Sequence, residues 1–170
     1  MGIWWGLGGH ADQLRGRGSG RRYPPGVGIS YRLDKAQGLM TFVWDGKVTA
    51  DDWKAHLTEM FADPDWPAGT RNLTDLRSAD VSTITPADRA EIVMMYAPHA
   101  DKVRGMKSAA VAGDNFDVSR DFETENEPAG LSLIVFNDLL NACTWLGIDK
   151  TLAQATVAEL RQELRENART

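Results

Sequence analysis

The chain has 170 residues, of which 42% are hydrophobic and 25% charged, which is typical of one globular domain with or without tails. A net charge of −5 argues against a nucleic-acid-binding protein, because such proteins usually present a basic surface. The single cysteine excludes an internal disulfide and a cysteine-based zinc site, and it is typical of a reducing compartment. No apolar run approaches the roughly 20 residues that span a bilayer. We therefore expect a cytoplasmic protein without an integral membrane segment.

Residues 1–27 differ in composition from the rest of the chain. They are rich in glycine, and the first 26 carry four arginines against Asp12, a balance of +3 that leaves −8 on the other 144 residues. No helical or strand periodicity is visible in this stretch. The composition predicts a flexible Gly/Arg-rich tail.

The first regular pattern after the tail is a β-hairpin. Residues 29–33 alternate apolar and polar side chains, a four-residue turn ending at Gly38 follows, and residues 39–44 form a second strand. Thr49 then precedes a helix with an apolar stripe at helical spacing, consisting of Trp53, His56, Leu57, Met60 and Phe61.

The next unit is a strand over 71–76, a polar loop over 78–86 and a second helix. Thr85 is the predicted N-cap of that helix, with Pro86 at its first position and Asp88 in its first turn. A short strand of small residues over 107–112 follows, and then a short helix over 118–124.

The pattern closes with a strand over 131–136 and a helix from Asp138 to Trp145 that ends at Gly147. Strands that alternate with helices indicate parallel pairing through crossover connections. We therefore predict an α/β fold with a mixed, mostly parallel sheet of about five strands, which begins with the hairpin and has helices packed on it.

A last amphipathic helix begins near Lys150. Its apolar stripe comprises Ala153, Val157, Leu160 and Leu164, and it is too short for a coiled coil. Two interpretations stay open: the helix docks on its own domain, or it forms a homodimer through residues 150–170. The predicted organisation is a tail over 1–27, a domain over 28–148 and this helix over 149–170.

Several short motifs in the domain have a familiar order. They are Tyr31-Arg32-Leu33-Asp34, Trp44-Asp45-Gly46-Lys47-Val48-Thr49, Asp63-Pro64-Asp65, Thr74-Asp75-Leu76-Arg77, the 107–112 strand and Val135-Phe136 with Trp145-Leu146-Gly147. Over residues 28–148 the chain resembles the SpoIIAA-like family, within the STAS and Sec14-like grouping of small bacterial α/β domains. The resemblance implies a non-catalytic protein. The best-understood STAS domains are anti-sigma-factor antagonists, which bind a protein partner, whereas Sec14-like relatives hold an apolar ligand or lipid.

The STAS resemblance also implies a regulatory phosphorylation at a serine or threonine before a helix. The matching stretch, 75–82, lacks the Ser-Gly pair of the family motif. The candidate hydroxyls are Ser78, Ser82, Thr83 and Thr85, and the charged residues proposed to accompany them are Asp75, Arg77 and Arg120. A helix N-terminus and nearby arginines accommodate a phosphate. The alternatives are that Thr85 is only a helix cap, that the other hydroxyls are solvated, and that Asp75 and Arg120 form a structural ion pair.

No arrangement of catalytic residues stands out in the sequence. Cys143 occupies a packing position, His56 and His99 lie on apolar helical stripes, and the three histidines lack metal-ligand spacing. We therefore predict no enzyme activity, no metal and no cofactor.

A set of methionines and aromatic residues allows two interpretations. Ordinary core packing is the favoured one, and a cavity for an apolar ligand is the other. The set comprises Trp53, Met60, Phe61, Met94, Met95, Tyr96 and Phe116. The leading functional hypothesis is accordingly a non-catalytic domain that binds a protein partner, and the alternative is a small carrier or sensor of an apolar ligand.

Overall fold

The computed structural model of the chain describes residues 28–126 and 130–169, and the predicted tail over 1–27 lies outside them. The strands are β1 (Ile29–Asp34), β2 (Leu39–Lys47), β3 (Arg71–Asp80), β4 (Lys107–Val111) and β5 (Ser132–Phe136). The α-helices are α1 (Ala50–Ala62), α2 (Pro86–Tyr96), α3 (Ala100–Val103), α4 (Phe116–Asn126), α5 (Leu139–Leu146) and α6 (Lys150–Asn167).

The five strands form one sheet in which the spatial order follows the chain, β1-β2-β3-β4-β5. β1 and β2 are the antiparallel hairpin, and the other neighbouring pairs are parallel. The predicted α/β fold with a mixed, mostly parallel sheet that begins with a hairpin is confirmed.

The sheet is covered on both faces. Alternate side chains of β2, Met40, Phe42 and Trp44, belong to the core beneath α1, α2 and α4, because successive residues of a strand point to opposite faces. Their neighbours Leu39 and Val43 belong to the cores that α5 and α6 cover. The architecture is therefore three layers, with helices on each side of the sheet.

β3 is longer than the sequence predicts. Its pairing with β2 continues past Asp75 after a register shift, so that Asp45 lies opposite Ser78 and Lys47 opposite Asp80. Ser78 therefore belongs to the strand and not to the predicted polar loop. The pattern missed this extension because the partner strand supplies the hydrogen bonds, whereas the local sequence is polar.

The start of α2 follows the sequence prediction closely. Thr85 is its N-cap, and its side chain accepts a hydrogen bond from the backbone N–H of Asp88 at 3.2 Å. The Asp88 carboxylate in turn accepts the backbone N–H of Thr85 at 2.9 Å. This reciprocal capping box satisfies backbone donors that the first turn of a helix leaves unpaired.

α6 docks on the sheet of its own chain. Val157, Leu160 and Leu164 are buried against Val43 of β2. Arg32 of β1 pairs with Glu163 at 2.8 Å and also with Glu159, and these contacts hold the helix along the hairpin. The apolar stripe is thus covered within the chain, and a homodimer through it would require these residues to leave the sheet.

The docking of α6 predicts that replacing either of two leucines on this helix by alanine lowers the stability of the fold by different amounts. Leu160 is fully buried whereas Leu152 is 44% exposed. Leu160→Ala should lower the free energy of unfolding by about 2–5 kcal/mol, and Leu152→Ala should change it by less than about 0.5 kcal/mol. Urea unfolding followed by tryptophan fluorescence measures both values.

Both costs should also be independent of protein concentration, because the contacts lie within one chain. Equal costs for the two variants, or a cost for Leu160→Ala that varies with concentration, would contradict this docking.

Candidate functional site

A cavity of about 100 Å³ lies between the sheet and the layer formed by α1, α2 and α4. Its sheet side is formed by side chains of β2, β3, β4 and β5, and its roof by side chains of the three helices. The residues around it are mostly buried, and Trp53, Thr74, Val118 and Leu133 are half-buried.

The cavity lies where the sheet presents short side chains. β3 presents Asn72 and Thr74 to this layer, and β4 presents Ser108 and Ala110. In the register of the sheet Asn72 pairs with Ser108, and Thr74 pairs with Ala110. The positions of β2 that pair with Asn72 and Thr74 carry the much larger Met40 and Phe42. The space under the helices is therefore open above β3 and β4 and filled above β2.

One wall of the cavity is aromatic. Trp53 of α1 packs on Phe122 of α4 with ring centroids 4.5 Å apart and meets Trp44 edge-on at 5.0 Å. Phe42 contacts the ring of His56 in a T-shaped arrangement at 5.1 Å. Aromatic faces and edges of this kind are typical of sites for small apolar molecules.

Two polar atoms of the cavity lining have no hydrogen-bond partner within the part of the chain that the structure describes. They are Oδ1 of Asn72 and Oγ of Ser108. Each residue is only 7% exposed, and the two face each other across β3 and β4. Leaving a buried polar atom unsatisfied costs about 1–3 kcal/mol, so that such atoms in a native protein call for an explanation.

The ionisable groups around the cavity leave it without net charge at neutral pH. Burial lowers the pKa of His56 to about 3, so its imidazole is neutral. Burial also raises the pKa of Tyr96, which keeps its phenol protonated. The guanidinium of Arg89 is bound by both oxygens of Glu125, at 2.9 and 3.0 Å, and its charge is therefore compensated.

Asp75 lies on the opposite face of the sheet and is fully buried. Arg77 binds both oxygens of its carboxylate, at 2.9 and 2.8 Å, and Arg161 of α6 binds Oδ2 at 2.9 Å. Burial alone would raise the pKa of Asp75, but the hydrogen bonds from Arg77 and the charges of both arginines hold that pKa below its usual value. Arg120 instead pairs with Glu123 at 2.7 Å. Asp75 and Arg120 thus have other partners, and the alternative that they form an ion pair with each other is not what the structure shows.

The candidate hydroxyls of the phosphorylation site are exposed, but each arginine proposed to accompany them is engaged. Ser78, Ser82, Thr83 and Thr85 are all exposed. Arg77 is held by Asp75 and Arg120 by Glu123. The hydroxyl of Thr85 donates to the carboxylate of Asp88 at 2.6 Å, so a phosphate there would meet a negative charge.

The set of methionines and aromatic residues divides between the cavity and the surrounding core. Trp53, Met60 and Tyr96 line the cavity, whereas Phe61, Met95 and Phe116 pack on the core without lining it, and Met94 is 70% exposed.

Sequence reasoning missed Asn72 and Ser108, because a polar residue in an alternating strand is usually solvent-facing. The available signal was that both polar residues lie inside strands of a sheet whose two faces are both covered by helices, so that neither face is open to solvent.

Metal-binding clusters and membrane-spanning helices are both absent from the described residues. No cluster of three or more histidine, cysteine, aspartate or glutamate side chains is placed to hold a metal ion there. Among the helices of residues 28–126 and 130–169, none has the length and apolar character required to cross a membrane.

Among solved structures, the chain is similar to an uncharacterised protein of the DUF3478 family from Shewanella loihica, whose crystal structure is described as having a SpoIIAA-like fold. The identity is 18%, the match covers 70% of this chain and 94% of that chain, and the TM-score is 0.47. No model of a known protein family and no curated protein matches the chain. The fold named for that protein is the one that the motifs of residues 28–148 resemble, and a match at this level says nothing about family or function.

Burial of His56 predicts a specific loss of stability in acid. The folded protein holds its pKa near 3, whereas the unfolded chain binds a proton near the ordinary value of 6.5. Stability is therefore present above 6.5 and falls as the pH drops toward 3, by up to about 1.4 kcal/mol per pH unit. Between pH 7.5 and pH 5.0 this amounts to about 2 kcal/mol.

The matched control is His56→Gln, which has no titrating group at this position. Urea unfolding at the two pH values should give a pH dependence about 2 kcal/mol smaller for the variant than for the wild type. Identical pH dependences in the two proteins would show that the imidazole titrates normally in the fold.

Proposed function

We propose that this domain binds one small apolar molecule inside the fold, between the sheet and the layer of α1, α2 and α4. The observation that carries the proposal is the cavity of about 100 Å³ above the short side chains of β3 and β4. Protein interiors are normally packed with few voids larger than a water molecule. An engineered apolar cavity of about 150 Å³ takes up benzene, so a cavity of about 100 Å³ limits the ligand to the size of one small ring at most.

The proposal assigns the chain a binding function and not a catalytic one. The titratable groups at the cavity are an imidazole kept neutral by burial, a protonated phenol and a guanidinium compensated by Glu125. None of these three is poised to exchange a proton near pH 7, which general acid–base catalysis requires. The sequence predictions of a cytoplasmic location, of no enzyme activity and of no nucleic-acid binding stay predictions.

Two neighbouring alanines of β4 test the cavity directly. Ala110 lines it, whereas Ala109 faces the packed core beneath α5. Ala110→Leu should leave the free energy of unfolding unchanged or raise it, because the added carbons enter open space. Ala109→Leu should lower it by about 1–3 kcal/mol through overpacking.

The ligand measurement uses the same pair of positions. Toluene should raise the melting temperature of the wild type and should leave that of Ala110→Leu unchanged, since a ligand stabilises only a protein that binds it in the folded state. A cost for Ala110→Leu equal to that for Ala109→Leu, together with no effect of toluene on the wild type, would overturn the proposal.

Binding of a protein partner, with a regulatory phosphorylation, is the second candidate. It is supported by the exposure of Ser78, Ser82 and Thr83 near the end of β3, and it is weakened by the engagement of Arg77 and Arg120 with carboxylates. A second copy of this chain would be a partner of another kind, and a measurement of the molecular mass in solution would detect such a homodimer.

A negative charge at these hydroxyls tests the second candidate. A partner captured stoichiometrically from extracts of the native host by the wild type should be lost with Ser78→Asp or Ser82→Asp. It should be retained with Thr151→Asp, a control at the start of α6 that is likewise exposed. Equal capture by all four proteins, or no stoichiometric partner, would contradict this candidate.

A further inference from the structure

The two unsatisfied oxygens of the cavity restrict the chemistry of its ligand. Oδ1 of Asn72 and Oγ of Ser108 are more than nine-tenths buried, and they have no hydrogen-bond partner among the described residues. A purely apolar ligand would leave both atoms unsatisfied and would keep water away from them, which is costly. The ligand that fits the cavity best therefore brings one polar group to this point.

The register of the sheet places the two side chains together. Asn72 and Ser108 are paired residues of the parallel strands β3 and β4, and both line the cavity. Neighbouring strands lie about 4.8 Å apart, so one ligand atom between the two side chains is within reach of both. The polar point is thus a single position on the sheet side of the cavity, beneath otherwise apolar walls.

The donor and acceptor properties of Asn72 and Ser108 define the polar group that the ligand should carry. The amide oxygen of Asn72 only accepts a hydrogen bond, whereas the Ser108 hydroxyl donates one and accepts others. A hydroxyl group satisfies both at once, because it donates to Asn72 Oδ1 and accepts from Ser108 Oγ. A hydrocarbon satisfies neither.

A charged group is disfavoured at this position. A carboxylate has no proton to donate and would face the carbonyl oxygen of Asn72. His56 is neutral and the charge of Arg89 is compensated by Glu125, so that neither supplies a free positive charge. Burial of an uncompensated anion in a low-dielectric site is costly.

We propose that the ligand is a small neutral molecule with an apolar ring or chain and a single hydroxyl group, held by Asn72 and Ser108. This inference rests on the apolar-ligand function proposed above. The hydroxyl fixes the orientation of the molecule, and the aromatic side chains of Trp53 and Phe122 cover its apolar part.

Benzene, phenol and benzoate test this inference, because they share one ring and differ at the polar group. Dissociation constants from calorimetry or from ligand-dependent unfolding are measured for the wild type and for Ser108→Ala, which removes one oxygen from the site. The wild type should bind phenol about tenfold more tightly than benzene, and benzoate more weakly than either. Ser108→Ala should lose most of the preference for phenol, because it removes a hydrogen-bond partner of phenol and benzene no longer leaves this oxygen unsatisfied.

Asn72→Leu is a second variant, of nearly the same size and without polar atoms, and it should likewise bind benzene and phenol equally. If this variant fails to fold, the comparison of the wild type with Ser108→Ala still tests the hydroxyl inference. Equal affinities of the wild type for benzene and phenol, or a preference that survives Ser108→Ala, would overturn the hydroxyl inference alone. No binding of either benzene or phenol would overturn the proposed apolar-ligand function itself.

Discussion

The short side chains that β3 and β4 turn toward one helical layer are the constraint on which this site depends. Ser108 and Ala110 leave space beneath helices that also span the large residues of β2. The same two strands supply the pair of buried oxygens, so one feature of the sheet accounts for both the volume of the cavity and its polarity. An interior designed only for stability would fill this volume and place apolar atoms there.

On the opposite face of the sheet, a buried polar group is compensated within the chain. Asp75 is fully buried, but its carboxylate is bound by Arg77 and by Arg161 of α6. Breaking a buried ion pair costs several kcal/mol, because it leaves an uncompensated charge. This cluster and the packing of Leu160 against Val43 join α6 to the sheet. The carboxylate on this side is therefore compensated within the chain, whereas the two unpartnered oxygens on the other side belong to the lining of the proposed ligand cavity.

Local patterns predicted the local structure well. The hairpin, the N-cap at Thr85 and the end of α5 at Gly147 depend on neighbouring residues, and the structure has each of them. Contacts between distant residues were not predictable in this way. Arg161 lies 86 positions from Asp75, and Ser108 meets Asn72 only after β3 and β4 pair. The proposed ligand site therefore emerges from the register of the sheet and not from a sequence motif.

A crystal structure of the protein equilibrated with phenol tests the central claim most directly. The account predicts ring density in the cavity between α1, α2, α4 and the sheet, with the phenol oxygen within hydrogen-bond distance of both Asn72 Oδ1 and Ser108 Oγ. A cavity that contains only water, or a ring whose oxygen points away from this pair, would contradict it.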